Sequence, residues 1–124
     1  MVHTYLLGDW MLNLMPQVAW MLDNTDLEVL VYSGDKDYIV NWRGGEAWTL
    51  ATKWANKKEF NDQAYESWTV DGTPAGEIRQ YGNLHFLRVF DAGHMVPMDQ
   101  PVHALAMLDR FIKNDWNLTN QYIQ

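Results

Sequence analysis

The sequence of 124 residues contains no cysteine. It therefore offers no disulfide, no thiolate nucleophile and no thiolate ligand for zinc. Long apolar runs are also missing, and because a helix that crosses a bilayer needs about 20 apolar residues, we expect no membrane span and no membrane partner. No basic segment followed by an apolar stretch opens the sequence, so we expect no signal peptide at its start.

Positive charge is scarce as well. Nine Lys and Arg residues stand against 16 Asp and Glu residues, and the formal net charge is −7. Because proteins that bind nucleic acids neutralise phosphates with basic side chains, this composition argues against a nucleic-acid partner. Apolar residues are abundant, since 48% of the sequence is hydrophobic and 14% is aromatic. This length and composition predict one globular domain or part of one.

The order of the apolar segments predicts an α/β layer architecture. Continuous or alternating apolar runs indicate strands, and apolar residues at helical spacing indicate helices. The predicted elements are a helix from Asp9 to about Asn24, kinked or divided at Pro16; a buried strand at Glu28–Tyr32; a helix at Glu46–Asn56; a hairpin of Ser67–Val70 and Glu77–Tyr81 around a Gly/Pro loop; a strand at Leu84–Phe90; and a helix at Val102–Lys113.

Two of these strands end in loops that combine glycine with an ionisable side chain. One loop is Gly34-Asp35-Lys36-Asp37, and the other is Gly93-His94-Met95. In open α/β sheets, ligands and catalytic groups collect beyond the carboxyl ends of the strands. If both strands run parallel in one sheet, Asp37 and His94 emerge at the same edge. The carboxylate can then fix the imidazole tautomer and leave the other ring nitrogen to take a proton from a nucleophile.

Structural roles account for the same residues without catalysis. An Asp after a strand is commonly a turn former or a helix cap, and a single His in a loop is commonly an ordinary polar residue. His85, His94 and His103 recur at equal intervals, but neither a helix nor a strand brings residues at this spacing together. The sequence therefore predicts no metal site and no cofactor.

Two longer segments carry a resemblance to a known family. Residues Val29–Trp42 contain Tyr-Ser-Gly-Asp-Lys-Asp-Tyr, and residues Leu87–Pro101 contain Gly-His-Met-Val-Pro followed by Asp-Gln-Pro. With Gly8-Asp9-Trp10-Met11, they resemble the serine carboxypeptidases, which are exopeptidases that act on peptide substrates. The resemblance implies that residues 1–124 form the C-terminal part of an α/β-hydrolase fold, with strands of a mostly parallel sheet, flanking helices and a hairpin.

The resemblance also implies a role for each residue that its motifs cover. Asp37 would be the aspartate of a Ser-His-Asp triad, His94 its base, and Asp35 a structural residue. Met95 would line the pocket for the C-terminal side chain that is released. Val40 stands where some members have a free cysteine near the site. Since other members also carry Val there, this departure bears on substrate preference alone.

The third triad member is missing from the sequence. Its two serines, Ser33 and Ser67, do not lie in Gly-x-Ser-x-Gly, the turn that presents the nucleophile of an α/β hydrolase. Because the nucleophile precedes the Asp and the His in that fold, we expect it upstream of Met1, in an N-terminal portion or a separate large chain. By itself, the chain of 124 residues is predicted to be inactive.

Two other functions stay open on the sequence alone. The same scaffold and triad serve carboxypeptidase-like acyltransferases, and a decayed hydrolase can act as a non-catalytic protective or interaction subunit. The presence of both Asp37 and His94 argues against decay. The resemblance further implies a lysosome, a vacuole or secretion, and in such a protein the sequon Asn117-Leu118-Thr119 makes Asn117 a candidate glycosylation site.

Overall fold

The computed structural model describes residues 12–116. In chain order its elements are α1 (Met15–Asn24), β1 (Val29–Gly34), α2 (Trp42–Ala51), α3 (Lys57–Asp62), β2 (Glu66–Val70), β3 (Thr73–Tyr81), β4 (Leu84–Val89), α4 (Val96–Asp99) and α5 (Pro101–Lys113). The predicted helix start at Asp9, the segment Gly8-Asp9-Trp10-Met11 and the sequon at Asn117 lie outside the described residues. Between residues 12 and 116, no helix is long and apolar enough to cross a membrane.

The strands form one mixed sheet in the order β1-β4-β3-β2. Within the described residues, the parallel pairing is that of β1 with β4, with Val29 opposite Leu84 and Gly34 opposite Val89. β3 pairs antiparallel with both β4 and β2. The predicted α/β architecture with flanking helices and a hairpin is confirmed. The expectation of a mostly parallel sheet differs from the described part, in which one of the three strand pairings is parallel, because the hairpin adds two antiparallel ones. Because β1 and β4 are parallel neighbours, their carboxyl ends lie at the same edge of the sheet.

Helices cover both faces of the sheet, and β4 lies between the two layers. Successive side chains of a strand point to opposite faces. Phe86 belongs to a buried cluster with Phe60 of α3 and with residues of α1, whereas Leu87 belongs to a second cluster with Val96 of α4 and Met107 of α5. Burying one such side chain contributes about 1.5–3 kcal/mol, so the two clusters together hold β4 firmly in the centre.

The hairpin is tighter than the sequence predicts. The Gly/Pro pattern predicts a loop over residues 71–76, but the turn consists of Asp71 and Gly72, and β3 already begins at Thr73. Asp71 has a φ of 51° and Gly72 a φ of 77°, which are the left-handed conformations that a two-residue hairpin turn requires. Pro74 lies at a shift in the pairing register of β2 and β3, where a residue without an N–H is tolerated.

The helix predicted at Glu46–Asn56 begins earlier, at Trp42, and ends at Ala51. Asn41 explains the early start, because its side chain accepts a hydrogen bond at 2.9 Å from the backbone N–H of Gly44. An asparagine cap of this kind satisfies a free donor in the first turn and stabilises the helix by about 1 kcal/mol. The short helix α3, which the sequence pattern did not predict, follows.

β1 is confirmed as a strand, but its side chains are less buried than predicted. Val29, Leu30 and Val31 are half-buried, and Tyr32 is exposed. The described residues therefore do not bury this strand on both faces, and for the longer protein that burial stays a prediction. The physical reason is its place in the sheet, because among the described strands β1 has β4 alone as a neighbour.

Candidate active site

Asp37 lies in the loop that follows β1, and its carboxylate is held from two sides. Oδ1 accepts hydrogen bonds from the backbone N–H groups of Ile39 and Val40, both at 3.0 Å. This is the turn chemistry expected of an Asp beside a strand end. Only 6% of the side chain is exposed. Because the backbone N–H groups hold Oδ1 in place, the direction of the second oxygen, Oδ2, is fixed as well.

His94 lies in the loop that follows β4, and its ring meets the same carboxylate. Nδ1 of His94 is 2.9 Å from Oδ2 of Asp37, whereas 64% of the imidazole side chain is exposed. A neutral imidazole that donates from Nδ1 to a carboxylate carries its free lone pair on Nε2. The arrangement therefore couples a buried acid to an imidazole whose other nitrogen can exchange a proton.

Backbone hydrogen bonds join the two loops directly. The N–H of Asp35 donates to the carbonyl of Val89, and the N–H of Lys36 donates to the carbonyl of Ala92, both at 2.9 Å. The first bond continues the pairing of β1 with β4 into the loops. The approach is so close that a Cβ on Gly34 would overlap the carbonyl oxygen of Ala92. Gly34 is therefore required for space.

A salt bridge spans the outside of the same junction. Nζ of Lys36 lies 2.6 Å from Oδ1 of Asp91, and both side chains are largely exposed. Their mutual hydrogen bond and attraction raise the pKa of Lys36 and lower the pKa of Asp91. An exposed pair of this kind contributes little to stability because water screens it, so the backbone hydrogen bonds are the firmer link between the two loops.

The pKa of Asp37 is lowered from its ordinary value of 3.8. Desolvation, the largest single influence, works in the opposite direction because it disfavours the charged form. The hydrogen bond and charge of His94, together with the hydrogen bonds from Val40 and Ile39, outweigh it. Asp37 therefore loses its proton more readily than an ordinary aspartate, as suits the partner of an imidazolium.

A small cleft of about 160 Å³ opens beside the pair. Its lining comprises Tyr32, Ser33, Gly34, Asp37, Val40, His94 and Val96. The candidate substrate-binding residue Val40 thus lies in the cleft, whereas Met95 is not part of this lining and is exposed beside His94. A larger hollow of about 390 Å³, which Met15 and Lys53 help to line, lies away from the pair.

Neither of the two serines lies in a position from which a nucleophile of an α/β hydrolase could act. Ser33 lies within β1 and is buried, and Ser67 lies within β2 near the far edge of the sheet. An α/β-hydrolase nucleophile needs a sharp turn from a strand into a helix, with the hydroxyl exposed at its tip. Neither serine meets that requirement.

The three histidines that the structure describes do not form a metal site. The ring nitrogens of His85 lie 3.2 Å from Gln80 and 2.8 Å from Glu28, and His103 lies in α5. Across the described ranges, no three His, Asp or Glu side chains are grouped so that they could hold a metal ion.

Two residues of the site were not assigned a role from the sequence. Gly34 allows the loops to meet, and Asp99 accepts a hydrogen bond at 2.7 Å from the backbone N–H of Gly93. Asp99 belongs to the Asp-Gln-Pro motif of the histidine segment, so a signal for it was present. Asp35 is near Arg88, with Oδ2 3.9 Å from Nη2, and its structural role stays a prediction.

The sequence as a whole matches a known protein family. Residues 2–114 match the family described as serine carboxypeptidase. The chain belongs to the serine carboxypeptidase family. It is 46% identical over 109 residues to a carboxypeptidase Y of Candida albicans, covering 88% of this chain and 20% of that protein. It is also 46% identical over 119 residues to a serine carboxypeptidase-like protein of Oryza sativa subsp. japonica, covering 96% of this chain and 27% of that protein.

The solved structure of a carboxypeptidase shares the fold. The crystal structure of Kex1(delta)p, a prohormone-processing carboxypeptidase from Saccharomyces cerevisiae, matches with a TM-score of 0.72 and 24% sequence identity, over 86% of this chain and 24% of that one. The likeness confirms the predicted α/β-hydrolase fold. The chain spans between 20% and 27% of the length of these relatives.

Proposed function

We propose that residues 1–124 are the C-terminal part of a serine carboxypeptidase domain and supply the aspartate and the histidine of its triad. The observation that carries the proposal is the hydrogen bond of 2.9 Å between Nδ1 of His94 and Oδ2 of Asp37, at the shared edge of two parallel strands. The nucleophilic serine would lie outside these residues, in an N-terminal portion or a separate large chain. The substrate would be a peptide with a free C-terminus.

In the proposed reaction, Nε2 of His94 takes the hydroxyl proton of that serine as its oxygen attacks the carbonyl carbon of the last peptide bond. The same nitrogen then gives the proton to the amide nitrogen as the C–N bond breaks, and the C-terminal amino acid leaves. A water molecule next gives a proton to Nε2 and attacks the acyl-enzyme. Return of the proton to the serine oxygen completes the cycle.

Asp37 would stabilise the imidazolium that forms twice in this cycle. It can do so because its Oδ1 is fixed by the backbone N–H groups of Ile39 and Val40, which leaves Oδ2 directed at His94. The depressed pKa of Asp37 keeps it ionised under mildly acidic conditions. Positioning of this kind lowers the barrier because no reorganisation is needed when charge develops.

Substrate contacts in this chain are proposed for Val40 and Met95. Both side chains are exposed beside the pair, Val40 within the cleft and Met95 next to His94 in sequence. Their apolar surfaces suit an apolar side chain of the departing amino acid. Exchange of either residue should therefore change KM among substrates more than it changes kcat.

The test compares peptide hydrolysis, in which water accepts the acyl group, with acyl transfer to an alcohol. It uses the full-length protein that carries this chain. A blocked dipeptide at mildly acidic pH should release its C-terminal amino acid, and turnover should be lost in His94→Ala. An activated acyl ester with an alcohol acceptor is the control for transferase chemistry. Transfer to the acceptor without peptide hydrolysis would instead identify an acyltransferase, and no reaction with either would identify a non-catalytic subunit.

A lysosomal, vacuolar or secreted location and glycosylation at Asn117 are part of the same proposal. They are supported by family membership and by the sequon Asn117-Leu118-Thr119. Digestion of the natural protein with an endoglycosidase should reduce its apparent mass, and Asn117→Gln should abolish that part of the change. A mass that does not respond to the enzyme would contradict passage through the secretory route with this site occupied.

A further inference from the structure

Two side chains close the loop that carries His94. Oδ2 of Asp99 accepts a hydrogen bond at 2.7 Å from the backbone N–H of Gly93, and Nε2 of Gln100 donates to the carbonyl of Asp91 at 3.1 Å. Gly93 directly precedes His94. Both bonds connect a residue before His94 to a side chain at the C-terminal end of α4, so the backbone of His94 lies within two rings that these side chains close.

The contact between Asp99 and Gly93 is built tightly into the loop. A Cβ at position 93 would meet Oδ2 of Asp99 at 3.1 Å, which is closer than ordinary van der Waals contact. Gly93 is not among the described residues with a positive φ, so backbone conformation does not call for glycine here. The carboxylate of Asp99 limits the space at this position instead. A hydrogen bond to a charged acceptor is also stronger than one between neutral groups.

The imidazole itself depends on its backbone for direction. Its side chain is largely exposed, so packing does not hold it, and in the described part of the chain its ring makes one hydrogen bond, to Asp37. A catalytic side chain stays in place only when its surroundings lock it. For His94, that support has to come from the loop.

We propose that Asp99 is a positioning residue for His94. By holding the N–H of Gly93, it sets the backbone from which the imidazole projects and keeps Nδ1 within hydrogen-bond distance of Asp37. The assignment rests on the proposed function, because it places Asp99 behind the base of the same triad. Asp99 does not touch the reacting atoms and acts through the loop alone.

The experiment uses three variants of the full-length protein. Asp99→Ala removes the acceptor, Asp99→Asn keeps an acceptor oxygen without the charge, and Asp109→Ala removes a partly exposed carboxylate that pairs with Lys113 on α5, away from the loop. We expect kcat to fall by up to about 100-fold in Asp99→Ala with KM little changed, because small misplacements of a catalytic group have effects of this size. Asp99→Asn should restore most of the activity, and Asp109→Ala should retain all of it.

A second readout follows the imidazole directly. In protein labelled with ¹⁵N-histidine, the proton on Nδ1 of His94 should resonate far downfield, because it is shared with the carboxylate of Asp37. The signal is assigned by its loss in His94→Ala. It should broaden or shift in Asp99→Ala and be kept in Asp99→Asn, which a role in overall stability alone would not produce.

The outcomes separate this proposal from the proposed function. If Asp37→Asn and His94→Ala abolish turnover while Asp99→Ala changes neither kcat nor the Nδ1 resonance, the positioning role is overturned and the triad stands. If Asp37→Asn and His94→Ala are fully active, the proposed function fails, and an unchanged resonance in Asp99→Ala would still overturn the role of Asp99. If Asp99→Ala does not fold, hydrogen exchange of the Gly93 amide in the unsubstituted protein tests the proposal instead. Slow exchange supports the bond to Asp99, and exchange as fast as an unbonded amide overturns it.

Discussion

Nδ1 of His94 lies 2.9 Å from Oδ2 of Asp37, although the two residues are 57 positions apart in the chain. The parallel pairing of β1 with β4 is what brings them together, because each side chain follows the carboxyl end of one of these strands. The acid is buried and held by backbone N–H groups, and the base is exposed. Each feature suits the role that we propose for the residue.

Asp37→Asn should keep the fold and lower kcat by about 10⁴-fold in the full-length protein, which is the loss that the same exchange causes in the triad of a chymotrypsin-like protease. The amide cannot stabilise an imidazolium and favours the wrong tautomer of His94. Steady-state kinetics and a thermal melt of the same sample provide the measurement. A loss of less than about tenfold, with the melt unchanged, would mean that Asp37 does not orient His94.

Gly34→Ala should push apart the two loops that carry the pair. The new Cβ would overlap the carbonyl oxygens of Ala92 and Gly93, and neither backbone can yield without breaking the hydrogen bonds between the loops. We expect the free energy of unfolding to fall by about 1–3 kcal/mol or more, the usual effect of overpacking. Chemical denaturation measures it.

Gly44→Ala is the matched control for that exchange. At this position in α2, the nearest atom to a new Cβ is Oδ1 of Asn41, at 3.6 Å, which is ordinary contact. Alanine inside a helix is favoured over glycine by about 0.5–1 kcal/mol, so this variant should be as stable as the parent or more so. Equal destabilisation by both exchanges would contradict the close approach at Gly34.

The ionisation of Asp37 should be visible as a pH dependence of stability. Its pKa in the folded chain is below the ordinary value of 3.8, so the folded state binds its proton less readily than the unfolded state does. The stabilisation is therefore complete above the ordinary pKa and is lost as the pH falls through the folded-state pKa. A ¹³C titration of the Asp37 carboxyl should give a midpoint below 3.8, and His94→Ala should raise it. A midpoint at or above 3.8 in the unsubstituted protein would contradict this.

The isolated chain of 124 residues should not hydrolyse peptides. A base and its orienting acid without a nucleophile and an oxyanion hole leave the barrier nearly untouched, because triad members act as a unit. The assay uses a blocked dipeptide at mildly acidic pH. Specific turnover by the isolated chain that disappears in His94→Ala would show that the chain contains its own nucleophile.

The sequence was sufficient to predict the elements that decide the site. The apolar run of β1 and the segment that forms β4 each end in a loop with ionisable side chains, so a parallel pairing was enough to bring the two loops together. The first loop holds both Asp35 and Asp37, and the choice of Asp37 came from the family resemblance. What the pattern could not supply was the contact between the loops. This contact depends on backbone hydrogen bonds such as that from Lys36 to Ala92. A hydropathy pattern describes side chains and contains no information on backbone hydrogen bonds.

Local chemistry explains the differences in the rest of the fold. α2 begins earlier than predicted because the side chain of Asn41 caps its first turn. One such cap can outweigh the low helix propensity of the residues in that turn. Arg110 of α5 is buried, with Nη1 donating to the carbonyl of Thr69 at 2.8 Å, and its burial lowers its pKa. Periodicity alone assigns an arginine to the surface. It contains no information on a carbonyl far away in the sequence that can accept a hydrogen bond from the guanidinium group.

The most direct test of the central claim is to find the residue that reacts with a serine-directed fluorophosphonate in the full-length protein. We expect one adduct, mapped by mass spectrometry to a serine outside these 124 residues, and its formation should be lost in His94→Ala. An adduct on Ser33 or Ser67, or labelling that does not depend on His94, would contradict the account.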